Sequence, residues 1–309
     1  MTDDKKKKLG LLADSTCDLH PDYIKKYNIG IIPLKVIFGE EIKYQNVDIT
    51  NEEFYQRLRD GELPTTGAPS PKAFKDAIDK ALKEYEEVLV FCIGNKLSAT
   101  YSTAMMVAKQ YYDERVTIID TNTLSITMSL IILPAARMLE KGASKEEILK
   151  FVYNTIPHTQ VFGGAETLKF LHKGGRLSKA SYLIGSLLHF KPFISVEDGK
   201  IVSPGRVRGD ETLMDHMKIV ANKIAENHLS ELVIVGHCSN IEKAKEIAEY
   251  LKKLPDAPKE VLVWDIGPVI GTHLGPGTIG FVWVGEFHED WVKSKIDLRF
   301  WRREKSEEN

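Results

Sequence analysis

Groups that donate hydrogen bonds to anions are concentrated in four turns of this sequence. "LPTTGAPS" (63–70) supplies Thr65 and Thr66, and "KLSATYS" (96–102) supplies Ser98 and Thr100 where a helix begins. "KGGRLSK" (173–179) sets Arg176 beside two glycines, and "GTHLGPG" (271–277) sets His273 between glycines. A helix start has unpaired N–H groups and about half a positive charge, so it favours an anion. Hydroxyls, a guanidinium and an imidazole suit carboxylate or phosphate oxygens. Taken singly, each residue also has a plain structural role. Ser98 can cap its helix, Thr65 and Thr66 can shape a turn, Arg176 can lie on the surface, and His273 can be an ordinary loop residue. Asp14 in "ADSTCD" reads as a partner for local N–H groups at a strand end, and Cys92 as core.

Other chemistries lack their signatures. There is no GxGxxG after the first strand, no GxxxxGK[ST], no HExxH and no GxSxG. The nine histidines do not fall at metal-ligand spacings with other ligands. These absences argue against hydrolytic, redox and metal chemistry, although catalytic groups need not be close in sequence.

The elements that must position these turns alternate between strand and helix. "LGLLA" (9–13) reads as a strand, followed by a helix from Pro21. "IGIIPLKVIF" and "EEIKY" read as a strand and its hairpin partner, and Thr50 with Glu53 as a capping box. Ser70 and Pro71 start the next helix. Strand 88–94, helix 98–112, strand 116–120 and helices near 124–141 and 145–156 follow. A second block starts near His158 with strand "QVFGGA", helix "ETLKFLHK" and the apolar helix "ASYLIGSLLHF". It continues with a hairpin turning at Asp198-Gly199, helix 210–227, strand "LVIVGHC", helix 241–254, strand "EVLVWDIG", the glycine-rich 271–280 and strand "FVWVG". The expected fold class is α/β: two α/β domains, 1–157 and 158–285, each around a largely parallel sheet, with an extension over 286–309. In such sheets, strand ends and helix starts share one edge, where ligands bind.

Lys and Arg number 42 against 44 Asp and Glu, so no basic excess points to nucleic acid. Lys5–Lys8 read as a solvated tail. No apolar run reaches the ~18 residues of a membrane span, and no secretory apolar region opens the chain. Cys17, Cys92 and Cys238 form no CxxC and read as reduced thiols of a cytoplasmic protein.

Together these segments resemble the DegV family, the bacterial fatty-acid-binding proteins that work with fatty acid kinase. The likeness runs through "ADSTCDL", "IIPLKVIFGE", "LPTTGAPS", "KLSATYSTA", "ETLKFLHKGGRLSKASYLIGSLLHFKP", "RVRG" and "IGPVIGTHLGPGTIG", up to about Gly285. It implies two α/β domains with a fatty acid carboxylate gripped between them and the acyl tail running into one. By matching motif it carries head-group roles to Thr66, Ser98, Arg176 and His273, and to Arg208 in "RVRG". Gly67 stands where the family's threonine loop has serine, and Ala99 where its helix start has glycine. Both bear on head-group geometry.

The resemblance implies a non-catalytic carrier that presents a long-chain fatty acid to a fatty acid kinase for conversion to acyl phosphate. It implies no metal and no cofactor, the fatty acid being the ligand, and at most a transient membrane contact. A clamp alone binds any small anion weakly, so selectivity must come from the tail. Each buried methylene contributes about 0.8 kcal/mol, so roughly fourteen give an upper figure near 11 kcal/mol before ordering costs. "ASYLIGSLLHFKPFI" offers Tyr182, Leu183, Ile184, Leu187, Leu188 and Phe193 as lining, residues that also suit a helix core. Two other readings stay open. One is an acyl- or phosphoryl-transfer enzyme with Ser98 as nucleophile and His273 as base, for which no acid is marked to orient His273. The other is a carrier of another small anionic ligand.

Overall fold

The computed structural model describes residues 6–177 and 189–291. The first half runs β1 (Lys7–Asp14), α1 (Pro21–Tyr27), β2 (Gly30–Ile32), β3 (Lys35–Phe38), β4 (Glu41–Tyr44) and α2 (Asn51–Arg59). It goes on through β5 (Thr65–Gly67), α3 (Pro71–Glu84), β6 (Tyr85–Cys92), α4 (Thr100–Tyr111), β7 (Val116–Asp120), α5 (Ile126–Glu140) and α6 (Lys145–Thr155). Local chemistry sets many of these boundaries. Thr50 accepts from the Glu53 N–H at the start of α2, and Ser70 from the Ala73 N–H ahead of Pro71. The full reciprocal box falls elsewhere, between Ser144 and Glu147 at α6.

The second half contains β8 (Thr159–Gly164), α7 (Lys169–Lys173), β9 (Phe190–Glu197), β10 (Lys200–Val202), β11 (Arg206–Arg208) and α8 (Asp210–Asn227). It closes with β12 (Leu232–His237), α9 (Ile241–Lys252), β13 (Glu260–Asp265), α10 (Pro268–Leu274) and β14 (Ile279–Val284).

The first sheet has the order β2-β1-β6-β7, and all its pairings are parallel. The stretch read as one strand, "IGIIPLKVIF", is broken at Pro33, which has no N–H to give a ladder. Its second part, β3, pairs antiparallel with β4 and β5 in a separate three-stranded ribbon. The second sheet has the order β10-β9-β8-β14-β12-β13, with β11 also on β9. Here alternation suggested parallel strands, yet among the described pairings only β12–β13 is parallel. The physical cause lies in the connections. A tight turn at Asp198-Gly199, both with positive φ, reverses the chain between β9 and β10. Helix α10 leaves the chain at the far end of β13, so β14 must run back between β12 and β8.

The strands divide near residue 158, but the core does not. The largest buried cluster runs from Leu9 to Val284. Helix α5 is its axis: Ile126, Met128, Leu130, Ile131, Ile132 and Leu133 are all buried. It packs against β8, β12 and β14 although it precedes them all in the chain. The far face of the second sheet carries a separate core under α8 and α9, with Phe162, Phe193, Phe281 and Trp283 fully buried. Phe287 and Trp291, in the stretch read as an appendage, pack onto this core.

Candidate functional site

A cavity of about 520 Å³, its open mouth included, lies between the two halves at the strand-end edge. Thr66, Ser98, Arg176 and His273 all line it. They arrive from β5, from the turn before α4, from the turn after α7 and from the last turn of α10. The segment from Gly271 to Leu274, read as part of a glycine-rich turn, is helical. The turn starts only at Gly275, where φ is 77°.

Thr66 Oγ1 and His273 Nε2 are 3.0 Å apart, joining residues 207 positions apart in sequence. The other ring nitrogen, Nδ1, is buried with no partner. It abuts Gly174, where a Cβ would lie 2.1 Å away, so glycine is needed for this approach. Burial, helped by the nearby Arg176 guanidinium, lowers the His273 pKa to about 4. The ring is therefore neutral at pH 7. A bare lone pair is cheaper to bury than an unpaired N–H, which assigns the proton to Nε2. His273 then donates to Thr66, and the Thr66 hydroxyl proton is free to point at a ligand oxygen.

Ser98 lies one residue before the N-cap position, which Ala99 occupies without a side-chain bond. The Ser98 hydroxyl accepts from the Thr100 N–H at 3.3 Å and lies 2.8 Å from Thr100 Oγ1. Ala99 is exposed, whereas Gly67 lines the cavity. Arg176 is tied down by its own donations, from Nη1 to the Gly174 carbonyl at 2.6 Å and from Nε to the Leu97 carbonyl at 3.4 Å. No Asp or Glu lines the cavity among the described residues, so Arg176 is its formal charge.

Sequence reasoning missed Thr16, which is fully buried and lines the same cavity. Behind it, Asp14 accepts from the Thr16 N–H and hydroxyl and from the Ile93 N–H at 2.6 Å. Burial raises the Asp14 pKa to about 6. The signal was present in "ADSTCD", but only half of the Asp14 role is local. The Ile93 contact spans 79 residues.

A second cavity, about 500 Å³ with its open mouth included, adjoins the first, and Leu124, Ile201 and Leu274 line both. Its wall is almost entirely apolar. It lies between the second sheet and the start of α5, and its origin is visible in the strand register. Gly163 of β8 pairs with Gly280 of β14, which pairs with Gly236 of β12. Three adjacent strands thus lack side chains at one level, and a groove crosses the sheet there. A Cβ at Gly236 would lie 2.4 Å from Ile126 Cδ1, and one at Gly280 2.9 Å from the Phe162 carbonyl oxygen. Ile194 and Val196 of β9 line the same cavity.

The expected lining residues are distributed differently. Phe193 alternates to the opposite face, with ring centroids 5.0 Å from Phe162 and 5.4 Å from His216. Strand periodicity of two places Ile194, not Phe193, toward α5. Tyr182, Leu183, Ile184, Leu187 and Leu188 lie outside the described residues. Arg208 is exposed at the end of the edge strand β11, opposite Phe190, and lines neither cavity. Among the described residues no group of three His, Cys, Asp or Glu side chains is placed to hold a metal ion. Likewise, none of the described helices is long and apolar enough to cross a membrane.

Known proteins share this architecture. A fatty acid-binding protein of Thermotoga maritima is 33% identical over 285 residues, covering 89% of this chain and 96% of the relative. A DegV family protein of Thermus thermophilus, whose structure is described by its fatty acid binding, superposes with a TM-score of 0.83 at 30% identity. That match covers 90% of this chain and all of the other. A stearic acid-binding protein of Eubacterium ventriosum gives 0.78 at 29% identity, covering 90% and 98%. The family model described as uncharacterised protein, DegV family, matches residues 8–286, a span containing both sheets and both cavities. With a match of that extent, the chain belongs to the DegV family.

Proposed function

We propose that this protein binds a long-chain fatty acid without acting on it chemically. The carboxylate is held by Thr66, Ser98 and Arg176, with His273 orienting the Thr66 hydroxyl, and the acyl chain lies over the glycine row beneath α5. The observation that supports this most is the joining of a cavity that carries Thr66, Ser98 and Arg176 to one whose wall is almost entirely apolar. The pair matches the two-part chemistry of a fatty acid. Thr66 and Ser98 donate to the carboxylate oxygens, and Arg176 supplies the countercharge. Water is excluded from the tail by α5 on one side and the sheet on the other.

The finer reading is a carrier that works in the cytoplasm and presents its lipid to a fatty acid kinase, keeping the acyl phosphate afterwards. Arg208, exposed and away from the cavities, is then available to the partner rather than to the head group. The enzyme reading has less support. His273 Nε2 is engaged with Thr66, and Ser98 with Thr100, so no base is seen beside the candidate nucleophile.

The test is mass spectrometry of the ligand that copurifies with the protein, followed by fatty acid titration of the delipidated protein. A bound long-chain fatty acid is expected. A phosphorylated metabolite in its place would favour the carrier of another anion. A covalent acyl adduct on Ser98 would favour the enzyme. Adding a fatty acid kinase and ATP then reads acyl phosphate formation directly.

A further inference from the structure

His273 reaches the head-group cavity on a short helix, and residues of the first half of the chain hold that helix. Helix α10 follows Gly267, which offers no side chain to cap it. The cap comes from elsewhere in the chain. Gln45, fully buried just after β4, accepts from the Val269 N–H through Oε1 at 2.8 Å. Its Nε2 donates to the Ser15 carbonyl at 2.7 Å and to Asp18 Oδ1 at 2.9 Å. Asp18 in turn lies beside Gly267 and accepts, at 2.6 Å, from the Ser125 hydroxyl. The contact is close enough to exclude any side chain at position 267. A Cβ there would lie 2.4 Å from Asp18 Oδ1 and 2.5 Å from Gln45 Nε2. On the same side, the Tyr55 hydroxyl donates to the Ile266 carbonyl at 2.7 Å, and a Cβ at Gly271 would lie 2.6 Å from that hydroxyl.

We infer that Gln45, oriented by Asp18, is a positioning residue for the head-group clamp: it fixes α10 so that His273 meets Thr66. This inference rests on the fatty acid reading of the site. The reasoning is geometric. Thr66 belongs to the β3–β4–β5 ribbon, and Gln45 leaves the same ribbon at the end of β4. One small unit therefore carries both the residue that His273 must meet and the residue that holds the His273 helix. Gln45, held by Asp18, bonds the first turn of α10, while His273 lies in its last turn. A shift of the helix start is thus passed to the imidazole along one rigid segment. Gln45 is suited to the task because an amide both accepts and donates. A glutamate could take the Val269 N–H but would face the Asp18 carboxylate with no proton to give.

The experiment compares delipidated wild type with Gln45→Met, which keeps the volume without the polar ends, and with Gln45→Asn, one methylene shorter. Each is titrated with palmitic acid and with hexadecanol, which has the same chain but no carboxylate. Side-chain 15N NMR of the histidines reports on the His273 ring, assigned with His273→Gln. Palmitate affinity is expected to fall about tenfold in either variant, as for one lost hydrogen bond to a charged group. Hexadecanol affinity should stay within twofold, and the His273 nitrogen shifts should move. Equal loss for both ligands, or unmoved His273 shifts, would overturn the positioning role and leave Gln45 as ordinary interface. If one variant does not fold, the other carries the same comparison. Failure of wild type to bind palmitate at all would instead sink the fatty acid reading itself.

Discussion

The two faces of the second sheet are filled in opposite ways. Under α8 and α9, Phe162, Phe193, Phe281 and Trp283 interlock, and Phe287 and Trp291 close over them. Under α5 the same strands present Gly163, Gly280 and Gly236 in one row, and a cavity remains. The first face stabilises the sheet by contact, and it tolerates no loss of volume. The second leaves an apolar cavity, and it tolerates no gain. The difference teaches which kind of substitution each face will feel: deletions on one, additions on the other. Beyond the row, the first cavity adds the hydroxyls of Thr16, Thr66 and Ser98 and the Arg176 guanidinium to a lining of apolar side chains.

The comparison breaks most clearly at Phe162. Phe162→Ala is expected to cost about 3–5 kcal/mol of stability, as for a large aromatic removed from a core. Denaturant unfolding reads that loss. Fatty acid affinity, measured well below the transition, should change little, because Phe162 lies on the face away from the cavity. A large loss of affinity in a folded protein would mean that the faces are not independent.

The complementary change is Gly280→Val. Three added carbons occupy space proposed for the acyl chain, and each displaced methylene forfeits about 0.8 kcal/mol. Affinity for stearic acid should therefore fall by about 2.4 kcal/mol, with about 1–3 kcal/mol of overpacking visible in unfolding. Lauric acid, with a shorter tail, should lose less. Equal losses across the series would place the chain somewhere other than over the glycine row.

Ser98→Ala sharpens the contrast between head and tail. The loss should be about 2 kcal/mol, within the ~1.5–3 kcal/mol typical of hydrogen bonds to charged groups. It should be the same for every chain length, in contrast to Gly280→Val. Isothermal titration with lauric, palmitic and stearic acids separates the two patterns.

The effects of pH have opposite signs at the two kinds of buried group. The folded-state pKa of His273, about 4, lies below the usual imidazole value of 6.5. Its contribution is present above that usual value and is lost as pH falls through 4. Asp14 and Asp18 are raised by burial to about 6 and about 7 from 3.8. Their contribution is complete below 3.8 and is lost as pH rises through 6 to 7. His273→Gln should flatten the limb of a stability-against-pH curve between about pH 4 and 6.5, and Asp18→Asn the limb between about pH 4 and 7. Unchanged limbs in both variants would show that neither group titrates as placed.

Much of this could be read from the chain alone. Thr50, Ser70 with Pro71, and Asp198-Gly199 act on neighbours a few residues away, so their caps and turn are written locally. The four donor-rich segments were legible for the same reason, as a local pattern of hydroxyls, glycines, Arg176 and His273, although Thr66 lies in strand β5 and His273 in helix α10 rather than in turns. Strand order and direction were not legible in the second sheet, because the position of β14 depends on where α10 releases the chain. Nor was the partner of His273, since Thr66 lies 207 residues away and the packing of α10 against the first half of the chain brings the two together. The apolar cavity shows the limit most plainly. Gly163, Gly236 and Gly280 stand in three separate strands, where each alone is only a weak strand residue. Pairing register, a property of strands far apart in sequence, puts them side by side and turns three small residues into one groove.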